Sequence, residues 1–135
     1  MTDLELLELA KEARKRAYTP YSEFKVGAAL LTKEGKVYLG CNIENAGYTP
    51  TNCAERTAFF KAVSEGDYNF SKIAIIGGKG DNLQFCAPCG VCRQVMAEFC
   101  SPDEFQIILG TNESDIRSFP LKELLPFGFT KKDLE

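Results

Sequence analysis

Histidine is absent from all 135 residues of the sequence. Any metal site must therefore be built from cysteine thiolates or carboxylates, and any proton transfer must use another residue type. No segment approaches the ~20 apolar residues that a membrane span needs. Residues 1–5 contain neither a basic leader nor an apolar run. We therefore expect a soluble, cytoplasmic protein that does not bind a membrane.

An excess of positive charge is also missing. The net charge is −3 and the isoelectric point is about 5.1. A phosphate backbone requires a basic protein surface, so we expect a small-molecule substrate and no nucleic-acid partner. With 44% hydrophobic residues, the chain has the size and composition of one domain, residues 1–135, with a single core.

Three of the six cysteines form two short clusters. Cys53 opens a Cys-Ala-Glu sequence, while Cys89 and Cys92 form Pro-Cys-Gly-Val-Cys. Each cluster stands where a helical pattern begins, and the free N–H groups of a helix start favour thiolate over thiol. We therefore expect Cys53 in the first turn of one helix and Pro88 in the first turn of the next. Three thiolates from two helix starts suit one tetrahedral Zn²⁺ per chain better than disulfides do.

The fourth zinc ligand decides between a structural and a catalytic site, because a catalytic site leaves that position to water. Without histidine, the protein candidates for this position are a carboxylate, Cys41, Cys86 and Cys100. Cys86 would create a closed four-cysteine module without enzymatic activity. The spacing of Cys86, Cys89 and Cys92 also resembles a bacterial iron–sulfur pattern, but Met96 stands where that pattern has its fourth cysteine.

Two residues beside Cys53 have the properties of catalytic groups. Glu55 is poorly spaced to bind the same ion as Cys53 and is better placed as a proton shuttle. Its alternative role is structural, because Asn52-x-x-Glu55 also fits a helix-capping pattern. Arg56 is placed to donate hydrogen bonds to ligand sulfurs and to offset the negative charge that three thiolates leave around Zn²⁺.

The two motifs together resemble those of zinc-dependent nucleobase deaminases. Segments 24–29, 41–46, 53–58 and 89–95 are similar to the small homotetrameric cytidine deaminases of pyrimidine salvage, and the similarity extends over about residues 10–127. The resemblance implies hydrolysis of cytidine and 2′-deoxycytidine to uridine and 2′-deoxyuridine with release of ammonia. Zinc-bound hydroxide would attack the base, and Glu55 would move the protons.

The same resemblance implies the substrate-binding residues. Asn42 and Glu44 would bind the sugar hydroxyl, and Phe24 would lie against the base. The amide of Ala54 and the carbonyl of Cys89 would orient the base.

Part of each active site would come from a neighbouring subunit of the homotetramer. The resemblance implies that Phe127 and the loop around Ala46 and Tyr48 reach the substrate of a neighbour. Residues 121–129 are unusually apolar for a chain end, so this stretch must dock on another surface. Blasticidin S deaminases share the zinc and glutamate motifs and are the alternative enzyme class, against which Asn42-x-Glu44 argues.

The order of the predicted elements indicates an α/β fold. The elements are helix 2–17, strands 24–31 and 37–41, helix 51–63, strand 72–76, helix 88–99, strand 105–109 and a short strand 116–119. Strand, helix and strand in succession predict a parallel crossover. With the resemblance, we expect a three-layer cytidine-deaminase-like fold, in which helices cover both faces of a mixed sheet of about five strands.

Overall fold

A mixed sheet of six strands lies at the centre of the protein, and the computed structural model describes all of residues 1–135. The strands are β1 (Phe24–Thr32), β2 (Val37–Cys41), β3 (Phe70–Lys79), β4 (Asn82–Gln84), β5 (Gln106–Leu109) and β6 (Arg117–Pro120). The helices are α1 (Asp3–Arg14), α2 (Ala54–Ser64), α3 (Gly90–Phe99), α4 (Leu121–Leu124) and a 3₁₀ helix, Lys131–Leu134. None of the helices combines the length and the apolar composition that crossing a bilayer requires.

The strand order is β2-β1-β3-β5-β6, and β4 pairs separately with β3. β3 and β5 are parallel, as the crossover through α3 predicts, whereas the other pairs are antiparallel. The expected count of about five strands omitted β4. That strand has three residues, and the side chains of Asn82 and Gln84 are exposed. It forms because it folds back and pairs with the end of β3. Its own sequence contains too few apolar positions to predict a strand.

Successive residues of the central strands face opposite sides of the sheet. Ala28 and Leu30 belong to the core that α2 and α3 cover, whereas Ala29 and Leu31 belong to the core that α1 covers. This alternation produces two buried faces, and it confirms the three-layer α/β architecture.

The first helix begins as the sequence predicts but ends earlier. Thr2 and Glu5 form the capping box, with the Glu5 amide 3.1 Å from the Thr2 hydroxyl oxygen. The α-helical hydrogen bonds stop at Arg14, and the amide of Ala17 then donates to the Arg14 carbonyl at 3.1 Å. The last three residues of the predicted helix 2–17 therefore form tighter turns.

Candidate active site

The two cysteine clusters meet because α2 and α3 begin beside each other. Cys53 and Cys89 are the N-cap residues of these helices, with extended backbone at φ −77° and −68°. Cys53 precedes the first residue of α2 by one position, and Pro88 precedes the first residue of α3 by two. The expectation that both lie within first turns was therefore wrong. The Cys89 sulfur accepts a hydrogen bond from the Cys92 amide at 3.4 Å, so the thiol takes the role that serine or aspartate has in an ordinary cap.

The approach of α2 to the sheet depends on Gly40 of β2. A Cβ atom at this position would lie 2.3 Å from the Ala54 carbonyl oxygen and 2.7 Å from the Ala58 amide nitrogen. Any side chain would therefore push the start of α2, and Cys53 with it, away from the sheet.

The sulfur atoms of Cys53, Cys89 and Cys92 all lie within 4.8 Å of one another. The Cys53 and Cys89 sulfurs are 3.7 Å apart, and those of Cys89 and Cys92 are 3.4 Å apart. Thiolates about 2.3 Å from a tetrahedral zinc ion lie about 3.8 Å from one another, so the cluster fits Zn²⁺. Cys92 is buried and Cys89 is exposed, which leaves one side of the cluster open.

The other three cysteines lie outside this cluster, and all six are free thiols. Burial raises the pKa of Cys86 to about 11, and the negative charges of Glu55 and Cys53 contribute. Burial also raises the pKa of Cys41 and Cys100. None of the three joins the group of sulfurs close enough to share one metal ion, and burial in each case favours the protonated thiol. The structure therefore does not favour the closed four-cysteine module.

Arg56 lies against the cluster. Its Nη2 donates to the Cys53 sulfur at 3.3 Å, and its Nε is buried without a hydrogen-bond partner. A hydrogen bond shared with Cys92, and a further one from Arg56, lower the pKa of Cys53 to about 5. The shared bond raises the pKa of Cys92, because two adjacent thiols then hold one proton between them. The guanidinium group thus stabilises negative charge on the sulfur cluster.

Glu55 is buried in the first turn of α2, with 4% of its surface exposed. Burial raises the pKa of its carboxyl group to about 7, and the charge of Cys53 acts in the same direction. The capping alternative is not observed, because Asn52 instead donates from its amide to the Thr57 hydroxyl at 3.2 Å. A carboxyl group that titrates near neutral pH is suited to both accepting and donating a proton.

The residues assigned to the sugar are fixed by the backbone around them. The Asn42 side chain accepts from the Val26 amide at 2.8 Å and donates to the Phe24 carbonyl at 2.9 Å. The Glu44 carboxylate accepts from the hydroxyl group of Ser22 and from the amides of Tyr21 and Ser22. Asn42 retains a second amide hydrogen and Glu44 retains free lone pairs, so both groups can still bind a hydroxyl.

Phe24 lies against Gly77, a residue for which the sequence predicts no role in base binding, and Cys86 lies against the same glycine. A Cβ atom at Gly77 would lie 2.9 Å from the Phe24 ring and 3.0 Å from the Cys86 sulfur, so this glycine makes room for both. A glycine at a strand interior often marks such a close approach, but the partners come from distant segments. Ala54 is fully buried, and its amide at the start of α2 has no intrahelical acceptor.

The residues assigned to a neighbour's site are exposed. Ala46 and Tyr48 line a groove with Tyr21 and Glu44, and Tyr48 is 96% exposed. Phe127 is fully exposed and lines a different cavity, which includes the buried Leu121. Within one chain, Phe127 and the Tyr48 loop therefore lie in separate surface depressions.

Comparison with known proteins agrees with this geometry. Residues 1–108 match the family model for the cytidine and deoxycytidylate deaminase zinc-binding region. Cytidine deaminases from Sporosarcina psychrophila and Halalkalibacterium halodurans are 50% and 51% identical over 129 residues. The alignments cover 96% of this chain and 92% and 95% of those proteins.

Solved structures lead to the same family. The crystal structure of cytidine deaminase from Burkholderia pseudomallei has a TM-score of 0.86 and 48% identity, with 96% of this chain and 100% of that chain covered. Cytidine deaminase from Mycobacterium tuberculosis has a TM-score of 0.76 and 36% identity, with 93% and 94% covered. The chain therefore belongs to the zinc-dependent cytidine deaminases.

Proposed function

We propose that this enzyme hydrolyses 2′-deoxycytidine as well as cytidine, giving 2′-deoxyuridine or uridine and ammonia. The observation that carries the proposal is the buried carboxyl group of Glu55 beside three converging thiols. A ligand cluster with one open side and an adjacent proton-transfer group has the composition of a catalytic site.

Cys53, Cys89 and Cys92 would hold Zn²⁺ at the start of α2 and α3. The ion, when bound, supplies a Lewis acid that lowers the pKa of water at its open position. Arg56 offsets the charge of the three thiolates through its hydrogen bond to Cys53.

Glu55 carries the proton transfers. Its carboxylate takes a proton from the attacking water and delivers it to N3 of the pyrimidine ring. After the C4–O bond has formed, the carboxylate takes the remaining proton from the new C4 hydroxyl and passes it to the amino group, which leaves as ammonia as the C4–N bond breaks and the C4 carbonyl forms. One water is consumed and one ammonia is released, so Glu55 returns to its starting protonation state.

The remaining site residues would orient the nucleoside. Phe24 would pack against the base, and the backbone amide of Ala54 would bind it at the start of α2. Asn42 and Glu44 would hydrogen-bond the sugar, and their existing contacts to β1 and Ser22 keep both side chains in place. Because a bare base would leave these polar groups unpaired, the arrangement favours nucleosides over free cytosine.

We also propose a homotetramer formed by single-domain subunits, in which Ala46, Tyr48 and Phe127 complete the active site of a neighbour. All three are exposed in the isolated chain, and Phe127 and Tyr48 are aromatic side chains suited to such a contact. A cytoplasmic location in pyrimidine salvage fits the six free thiols, because a reducing compartment preserves the ligand cysteines.

Replacement of Arg56 by alanine is expected to lower kcat by about 10- to 100-fold while the fold is retained. Without the guanidinium, the thiolates place more negative charge on the metal and weaken its effect on water. The measurement is kcat on cytidine at equal zinc content, with the exposed Arg16→Ala as the control variant. Unchanged kinetics at full zinc occupancy would contradict the proposed role of Arg56.

The function is tested by following the ultraviolet absorbance of cytidine, 2′-deoxycytidine and blasticidin S with zinc-assayed protein. Loss of the amino group from both nucleosides, with one zinc per chain and no reaction of blasticidin S, is the expected result. Turnover of cytidine alone would exclude the deoxynucleoside. Reaction of blasticidin S alone would replace the substrate class.

A further inference from the structure

Phe127 occupies a strained position in an exposed turn. Its φ angle is +58°, in the left-handed region that bulky residues rarely adopt, and its side chain is fully exposed. A strained conformation persists only where the surrounding structure fixes it. An exposed aromatic side chain gains nothing from being held in this way within its own subunit.

Two adjacent residues of α3 fix the turn at both ends. The Gln94 side-chain amide donates to the Phe129 carbonyl, and Nη1 of Arg93 donates to the Leu124 carbonyl at 2.6 Å. Residues 124–129 are thus attached to a single helix, with Phe127 between the two attachment points.

The same arginine also contacts the metal-binding loop, residues 88–89, which leads into α3. Nε of Arg93 donates to the carbonyl of the buried Pro88 at 2.7 Å, and the next residue is the ligand Cys89. One guanidinium group therefore joins the start of the zinc-binding helix to the C-terminal turn. Movement of Phe127 relative to the zinc-binding cysteines would have to break these hydrogen bonds.

We infer that Arg93 and Gln94 are positioning residues, which hold Phe127 in the orientation that a second copy of this chain needs to bind its nucleoside. The inference rests on the proposed function, in which Phe127 completes a neighbour's active site. It adds that the zinc-binding helix of each subunit presents this side chain. The precision of nucleoside binding in one subunit thus depends on hydrogen bonds inside another.

The variant Gln94→Glu tests this directly. Glutamate has nearly the shape of glutamine but lacks the donor hydrogens, and position 94 has no hydrogen bond to the metal-binding loop. We expect KM for cytidine to rise roughly 3- to 10-fold, the effect of losing one neutral hydrogen bond, with kcat and zinc content retained. Gln106→Glu makes the same change at the start of β5 and is the matched control, with kinetics expected to equal the wild type.

A double-mutant cycle separates positioning from general stability. If Gln94 acts through Phe127, then Phe127→Ala alone raises KM, and Gln94→Glu adds little to it in the double variant. Independent, multiplicative effects would overturn the inference, and so would a Phe127→Ala variant with the wild-type KM. A wild-type enzyme inactive on cytidine would instead overturn the proposed function, which distinguishes the two failures.

Mixed assemblies test whether Phe127 acts on a neighbour. Gln94→Glu subunits have intact catalytic groups but a misplaced Phe127, whereas Glu55→Gln subunits keep the Phe127 turn intact. In a mixed assembly, a Gln94→Glu active site that adjoins a Glu55→Gln subunit receives a correctly placed Phe127. Those sites are expected to regain the low KM. If every active site in verified mixed assemblies kept the high KM, Phe127 would act within its own subunit, and the second-copy inference would be wrong.

Discussion

Glu55→Gln is expected to lower kcat on cytidine by about 10²- to 10⁴-fold, the range contributed by general acid–base catalysis. Glutamine keeps the size of the side chain and its hydrogen-bonding capacity but cannot accept and release a proton. Zinc content is expected to remain at one ion per chain, because the group that could hold the ion consists of the three cysteines and does not include Glu55.

The burial of Glu55 makes this variant informative. With 4% of its surface exposed and a pKa raised by burial to about 7, the native carboxyl group is about half protonated near neutral pH, so its buried site already accommodates the neutral form. A neutral amide therefore fits the same environment without the cost of a buried charge, and the variant should fold normally. Loss of activity can then be assigned to proton transfer rather than to disruption of α2.

Glu65→Gln is the matched control, because Glu65 follows α2 directly and is exposed. Its activity should equal that of the wild type. The decisive measurement is single-turnover kinetics on cytidine at equal zinc occupancy, which separates the chemical step from product release. If Glu55→Gln remained within tenfold of the wild type, another group would have to transfer the protons.

The cysteine cluster was predictable because its determinants are local. Cys89 and Cys92 are three residues apart, so one helix start brings their sulfurs together, and Cys53 stands at the start of a second recognisable helix. The two cysteine clusters predicted that these starts converge on one metal site, and the folded chain confirms the convergence. The error of one or two positions at these helix starts reflects the N-cap role of the thiols, since serine, threonine, aspartate and asparagine are the residues that usually indicate a cap.

Features that depend on distant segments were not predictable from local patterns. Phe24 and Cys86 come from separate segments and both lie against Gly77, and neither composition nor spacing encodes this meeting. The apolar C-terminal stretch was expected to dock, but the hydrogen bonds of Arg93 and Gln94 define where. Both side chains lie on a helix that Pro88 and the apolar positions predicted, and neither signal indicates the partners of its polar side chains.

Cys92→Ser is expected to abolish zinc binding and, with it, activity. A serine hydroxyl does not ionise near neutral pH and is a poor replacement for a thiolate ligand. Cys92 is also 1% exposed within the main core, so the substitution places a hydroxyl where a sulfur packs. We expect less than about 0.1% of wild-type kcat at any zinc concentration, together with a lower melting temperature.

Cys86→Ser makes the same chemical change a short distance away. Cys86 lies outside the three-sulfur cluster, and burial keeps its thiol protonated by raising its pKa to about 11. This variant should therefore bind one zinc per chain, and added zinc should raise its melting temperature as it does for the wild type, because a ligand of the folded state stabilises that state. Added zinc should not raise the melting temperature of Cys92→Ser. If Cys86→Ser also lost the metal, the site would have four sulfur ligands and no position for water, and the hydrolytic mechanism could not operate as proposed.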